Sequence, residues 1–302
     1  MKGGLVAQPT VILTDGARLE GEAVVLSCFE RSSPDAGRLE KRLEAVLRRI
    51  ATQPGWKARE KQVARAVTGG RPPVQVEVHG LGPRGRFDAG YLATWLERAL
   101  DGAAQEGRRE ITLILPDHEV TRGRNAPRVL LELYQSGYRF GRYRRRSNRP
   151  ALGKVNLLVP EGQSETYADA LKPARTVSGA VDWTRTLGNT PPNVASPEWM
   201  AEQAMGMAEK SGIECRVLEP DAMRELGMGG ILAVGSGSAR SPRLVRLEWG
   251  EGDEVISFVG KGVTFDTGGI SIKPSAAMEE MKYDKCGACA VLGVSKAVVE
   301  LG

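Results

Sequence analysis

Histidine and cysteine are scarce in this chain: two and four in 302 residues. Both histidines, His79 and His118, lie in the first half. A serine triad needs a histidine base, and the glycine-rich Gly235-Ser236-Gly237-Ser238 lacks the G-x-S-x-G elbow. Serine hydrolysis is therefore not expected. Cys28, Cys215, Cys286 and Cys289 are too few for a disulfide framework. Met1 to Gly16 shows no charged stretch followed by an apolar core, so a reduced, cytoplasmic setting is expected. Cys286-Gly287-Ala288-Cys289 spells C-x-x-C, but a structural zinc needs two further Cys or His, and none follows. These cysteines read as small packing residues on a helix face. No run of 18 or more apolar residues occurs, so no membrane span is expected. With 41% apolar and 26% charged residues, the composition excludes a wholly disordered chain.

Acidic residues are missing from one place in particular. Arg139 to Arg149 holds six arginines and no acid. Of 42 basic residues, 36 then remain against 37 acidic ones, so the whole net charge of +5 sits in that stretch. The rest of the chain is near neutral, which argues against a DNA coat or a polybasic membrane binder. Tyr138, Phe140 and Tyr143 interleave with the arginines, as a base-stacking surface does. Nucleic-acid binding through Arg139–Arg149 is the alternative reading; a solvated basic loop is the plainer one.

The length suggests two domains. Strand-like runs at 23–29, 74–78, 111–115 and 155–159 alternate with helical periodicity at 36–51, 91–104 and 126–136. That alternation predicts an α/β domain, with a central sheet flanked by helices, over residues 1–165. The polar stretch 161–165 reads as a hinge. A helix over 166–187 follows, with a kink expected at Pro173. Asn189-Thr190-Pro191-Pro192-Asn193 is a stiff connection, and Ser196-Pro197 opens the next helix. Strands are expected at 213–218, 244–249 and 255–260, and a last helix at 285–301.

Chemistry concentrates in Val259-Gly260-Lys261-Gly262-Val263-Thr264-Phe265-Asp266-Thr267-Gly268-Gly269-Ile270-Ser271-Ile272-Lys273-Pro274 and in Met281-Lys282-Tyr283-Asp284. An expected strand runs into a glycine-dense loop, where backbone approaches a ligand closely. The spacing fits neither a P-loop nor a dinucleotide fingerprint, since Gly262 follows Lys261 and Phe265 takes the third glycine position. Lys261, Asp266, Lys273 and Asp284 read either as plain ion pairs or as a hard-metal site. Asp284 can also be a helix cap.

This segment, with M-K-Y-D-K-C-G-A after it, resembles the signature of the leucine aminopeptidases, or cytosol aminopeptidases. The Asn189–Asn193 connection, the Met228–Pro242 block and Tyr138-Arg139-Phe140 resemble further parts of that family. The resemblance implies a two-metal exopeptidase that removes N-terminal residues from peptides with zinc, manganese or magnesium. Residues 166–302 would then be the front part of a metallopeptidase catalytic domain. Carried over, Asp266 bridges both metals, Lys261 and Asp284 complete one metal's set, and Lys273 is the catalytic electrophile. Lys282 and Tyr283 read as scaffold. The family's later N-T-D-A-E-G-R-L segment, with its metal-binding acids and the arginine that anchors bicarbonate, does not occur in this sequence. The chain is therefore expected to be a truncated, inactive member, and the catalytic sheet to leave apolar edges exposed. The family forms hexamers, so a homo-oligomer is expected; a non-catalytic assembly subunit is a further alternative.

Overall fold

The computed structural model describes residues 8–14, 20–32, 41–69, 71–143 and 152–302. It divides into two compact units, Met1–Ser178 and Gly179–Gly302.

The first unit contains β1 (Thr10–Leu13), β2 (Ala23–Cys28), α1 (Lys41–Ala51), β3 (Val63–Val67), β4 (Gln75–Gly80), α2 (Ala89–Gln105), β5 (Glu110–Ile114), α3 (Ala126–Ser136), β6 (Lys154–Leu158) and the opening of α4 (Ser164–Asn189). The strands form one sheet in the order β1-β6-β5-β2-β4-β3, parallel except for β3, which runs antiparallel to β4. β2 is apolar almost throughout because both its faces are covered. Ala23 and Val25 join a core with Trp95 and Leu96 of α2 and Leu130 of α3. Val24, Leu26 and Cys28 point the other way, onto Leu43, Val46, Leu47 and Ile50 of α1. Asp88 caps α2, its carboxylate accepting from the Tyr91 N–H at 2.8 Å.

The expected α/β layering is observed. The sequence reading did not name β1 and β3, which form the two edges of the sheet. Edge strands bury only part of their residues, so their apolar pattern is diluted. Residues 36–40 of the first expected helix lie outside the described residues.

α4 stays helical through Pro173. Its first turns belong to the first unit: Tyr167, Ala170 and Ala174 enter the α2/α3 core, and the Tyr167 hydroxyl donates to the Thr121 carbonyl at 2.8 Å. The sequence reading put the division between domains at 165/166, before this helix; by packing it falls inside the helix.

The second unit holds the end of α4, then α5 (Pro197–Ser211), β7 (Glu214–Leu218), α6 (Pro220–Glu225), α7 (Gly229–Gly235), β8 (Leu244–Glu248) and α8 (Cys286–Leu301). Ser196 caps α5 through the Trp199 N–H, and Gly212 closes it in the left-handed region at φ 68°. β7 and β8 pair antiparallel, Glu214 opposite Glu248. Leu187, Met200, Ala204, Met207, Ile213, Cys289 and Leu292 form the core. All four cysteines are free thiols. Among the described residues no helix is long and apolar enough to cross a membrane.

The strand expected at 255–260 is not formed. A strand exists only against a partner, and no described residue pairs with this segment. Val255 and Val259 are 83% and 96% exposed. α8 likewise shows a second apolar stripe, Val294, Val298 and Leu301, to the outside. Apolar side chains are thus exposed in this unit, on an irregular segment and a helix rather than on a sheet edge.

A carboxylate is buried in the first sheet. Glu77 of β4 lies beside the His79 imidazole and accepts from Arg65 of β3 at 3.2 Å. His79 and then Arg65 hold its carboxyl down at about 2, against the burial that pushes it up from 4.5. A depressed acid contributes stability above its ordinary value and loses it as pH falls towards the folded value. Glu77→Gln is therefore expected to cost about 1–3 kcal/mol at neutral pH. In urea denaturation the gap between the two proteins should close between pH 4.5 and 2. A gap that stays constant over that range would contradict the assignment.

Candidate metal centre

After β8 the chain runs without regular structure until a short 3-10 turn at Met278–Tyr283 leads into α8. What fixes this irregular stretch is a main-chain contact. The Ala288 N–H on the first turn of α8 donates to the Lys261 carbonyl at 2.8 Å. A Cβ on Gly260 would lie 2.6 Å from the Gly287 carbonyl oxygen, and one on Gly287 would lie 2.9 Å from the Lys261 nitrogen. Only glycine permits that approach at both positions.

The contact sets Lys261 beside Asp284, with Nζ 2.7 Å from Oδ1. The other Asp284 oxygen, Oδ2, is buried and has no hydrogen-bond partner. Asp284 does not cap α8; that position belongs to Lys285. The second pair is built by a tight turn. The Gly268 N–H donates to Asp266 Oδ1 at 2.8 Å, and the Lys273 N–H donates to the Thr267 carbonyl at 2.9 Å. Gly268 sits at φ 93°, with the Ser271 carbonyl where a Cβ would go. The turn brings Lys273 Nζ to 2.9 Å from Asp266 Oδ2 and 3.5 Å from the Met281 sulfur. The Gly268 N–H, then Lys273, then the field of Lys261 hold the Asp266 carboxyl below its usual range. Lys261 thus acts on both carboxylates.

The four residues singled out from the sequence are therefore brought together as two lysine–carboxylate pairs. Two further residues, Lys285 and Asn189, belong to the same neighbourhood and were not singled out. Tyr283, read as scaffold, donates its hydroxyl to Asn189 Oδ1 at 3.0 Å. Lys285 is fully buried and donates to the carbonyls of Gly188 and Thr190, each at 3.0 Å, and to that of Lys282. Its sequence signal was a cation at a helix N-terminus, where the helix dipole disfavours one.

The donor set fits a hard divalent ion in part. Asp266, Asp284 with its unpartnered oxygen, and Lys261 offer two carboxylates and an amine. Among the described residues no three His, Cys, Asp or Glu side chains gather. Among the described residues these donors do not make up a second ion's set.

Comparison with known proteins agrees with the motif. Residues 182–302 match the cytosol aminopeptidase family, catalytic domain. A probable cytosol aminopeptidase of Acidithiobacillus ferrooxidans is 39% identical over 247 residues, 77% of this chain and 49% of that protein. The chain belongs to the cytosol aminopeptidase family. The Pseudomonas aeruginosa cytosol aminopeptidase is 42% identical over 189 residues, 60% of this chain and 38% of that one. Among solved structures, the bottromycin maturation enzyme BotP in complex with Mn is similar at a TM-score of 0.71 and 29% identity, over 94% of this chain and 57% of that one. The chain spans about half the length or less of these curated relatives.

The basic stretch lies elsewhere. Arg139 pairs with Asp101, and Arg142 stands 5.9 Å over the Tyr143 ring, which packs edge-on to Phe140 at 5.8 Å. Residues 144–149 lie outside the described residues.

If the glycine contact sets the aminopeptidase motif in place, Gly260→Ala is expected to lose about 1–3 kcal/mol in chemical denaturation through overpacking. Gly269→Ala, with nothing within 4 Å, should stay within about 0.5 kcal/mol of the parent. Equal effects at the two positions would contradict this reading.

Proposed function

We propose that this chain carries the front half of a two-metal aminopeptidase centre acting on peptides with a free N-terminus. Lys261, Asp266 and Asp284 are its metal ligands and Lys273 its catalytic electrophile. The observation that carries the reading is the buried, unpartnered Oδ2 of Asp284 beside Lys261, in a motif whose two other charged residues, Asp266 and Lys273, form a second pair. A divalent ion (Mn²⁺, Zn²⁺ or Mg²⁺) held by these residues would supply a Lewis acid for the scissile carbonyl and would make a water it binds more acidic.

The chain's own residues have distinct tasks. Lys261 would offer its amine nitrogen to an ion from its position beside Asp284. Asp266, oriented by its hydrogen bond from the Gly268 N–H, would be the second carboxylate ligand. Lys273, released from Asp266, presents its ammonium to the carbonyl oxygen of the substrate and stabilises the oxyanion of the tetrahedral intermediate. Asp284 offers its free oxygen without breaking a hydrogen bond.

These 302 residues hold ligands for one ion and a single carboxylate for the other. The polypeptide alone is thus expected to bind one Mn²⁺ weakly and to release no leucine from leucine amide. Calorimetric titration with Mn²⁺, beside the Asp266→Asn and Asp284→Asn variants, checks the ligands. Binding that survives both substitutions would sink the assignment, and turnover of leucine amide by the purified chain with Mn²⁺ or Zn²⁺ would sink the claim of inactivity.

A further inference from the structure

Lys285 is an unusual place for a charge. It is fully buried, and among its hydrogen-bond partners there is no carboxylate. Taking an ammonium out of water without a counter-ion costs several kcal/mol unless every N–H is satisfied. Here each is: Gly188, Thr190 and Lys282 supply three backbone carbonyls. Gly188 and Thr190 lie at the C-terminal end of α4, where exposed carbonyls and the helix dipole favour a cation. That end offsets the opposite preference at the N-terminus of α8, which Lys285 itself caps. Facing the ammonium are the thiols of Cys286 and Cys289 and the side chain of Lys282.

The tie has a companion one residue away. Tyr283 donates its hydroxyl to Asn189, between the two carbonyls that Lys285 holds. The residues before and after Asp284 are therefore both fastened to the 188–190 turn. Asp284 stands between them with its carboxylate uninvolved in either tie and one oxygen without a partner.

We propose that Lys285 is a positioning residue for the metal centre: with Tyr283, it clamps the Asp284 backbone to the end of α4, so that the carboxylate is aimed before any ion arrives. The clamp acts through Asp284 and touches neither substrate nor metal. It rests on the reading of Asp284 as a ligand, and its predicted physical content is preorganisation: ligands held by their supports lose less freedom on binding.

The test uses the full 302-residue chain and two readouts. The first, free of metal, is hydrogen exchange at the backbone amides of 282–288 and 188–192. Lys285→Met keeps the length and apolar stem but loses the donors, and is expected to speed exchange in both segments together while leaving the second half of α8 unchanged. The second is Mn²⁺ affinity by calorimetry, expected to fall at least tenfold in Lys285→Met, in line with the losses seen when supports of metal ligands are removed, and by less in Tyr283→Phe. Lys285→Gln retains an N–H₂ group and should lie between wild type and Lys285→Met. Unchanged exchange and affinity in Lys285→Met would overturn the clamp. Should Lys285→Met fail to fold, Tyr283→Phe decides: coupled loosening of the two segments supports the clamp, and wild-type exchange overturns it. Mn²⁺ binding indifferent to Asp284→Asn would instead defeat the ligand reading, and the exchange readout would still judge the clamp.

Discussion

The main-chain contact of Gly260 and Lys261 with Gly287 and Ala288 is the constraint on which the candidate site depends. It joins two segments more than 20 residues apart that share no sheet and no common helix. Without it the irregular stretch after β8 would have no fixed path, since its apolar side chains find no core: Val255, Ile256 and Val259 all face outward. Backbone contact at van der Waals distance is available only where neither partner carries a Cβ, which is why two glycines meet there. The lysine–carboxylate pairs follow from this contact: one forms directly beside it, and the other across the Asp266–Lys273 turn it supports.

Around that contact, charge is arranged with some economy. Two carboxylates and two lysines neutralise each other at the motif, while the third cation, Lys285, is neutralised by no acid. Its acceptors are carbonyls at the end of α4. Acids available to a cation are therefore kept at the centre. In the first unit, buried Glu77 leans on His79 of its own strand and on Arg65 of the adjacent β3. In both units a buried polar group survives because every partner is supplied by neighbouring secondary structure.

Much of this was legible in the sequence, for identifiable reasons. β2, α1, α2 and α3 carry apolar periodicity because each buries one face, or both, within the first unit. The four motif residues stood out because they sit in and just after a glycine-dense loop whose sequence resembles a family signature. Edge strands β1 and β3 did not stand out, since half-exposed strands have weak patterns. The segment 255–260 misled in the opposite direction: its composition is that of a buried strand, but composition cannot supply the neighbour that makes one. Lys285 was passed over because its acceptors, the carbonyls of Gly188 and Thr190, lie almost a hundred residues away and have no side-chain signature.

Our proposal is that Lys261, Asp266 and Asp284 form one face of a metal centre. It is tested most directly by a crystal structure of this chain with Mn²⁺, read by anomalous scattering. The expected result is a single ion held by Asp266 and by Asp284 Oδ2, with Lys261 turned from its ion pair towards the ion. An ion bound elsewhere, or both lysine–carboxylate pairs intact at saturating Mn²⁺, would contradict the account.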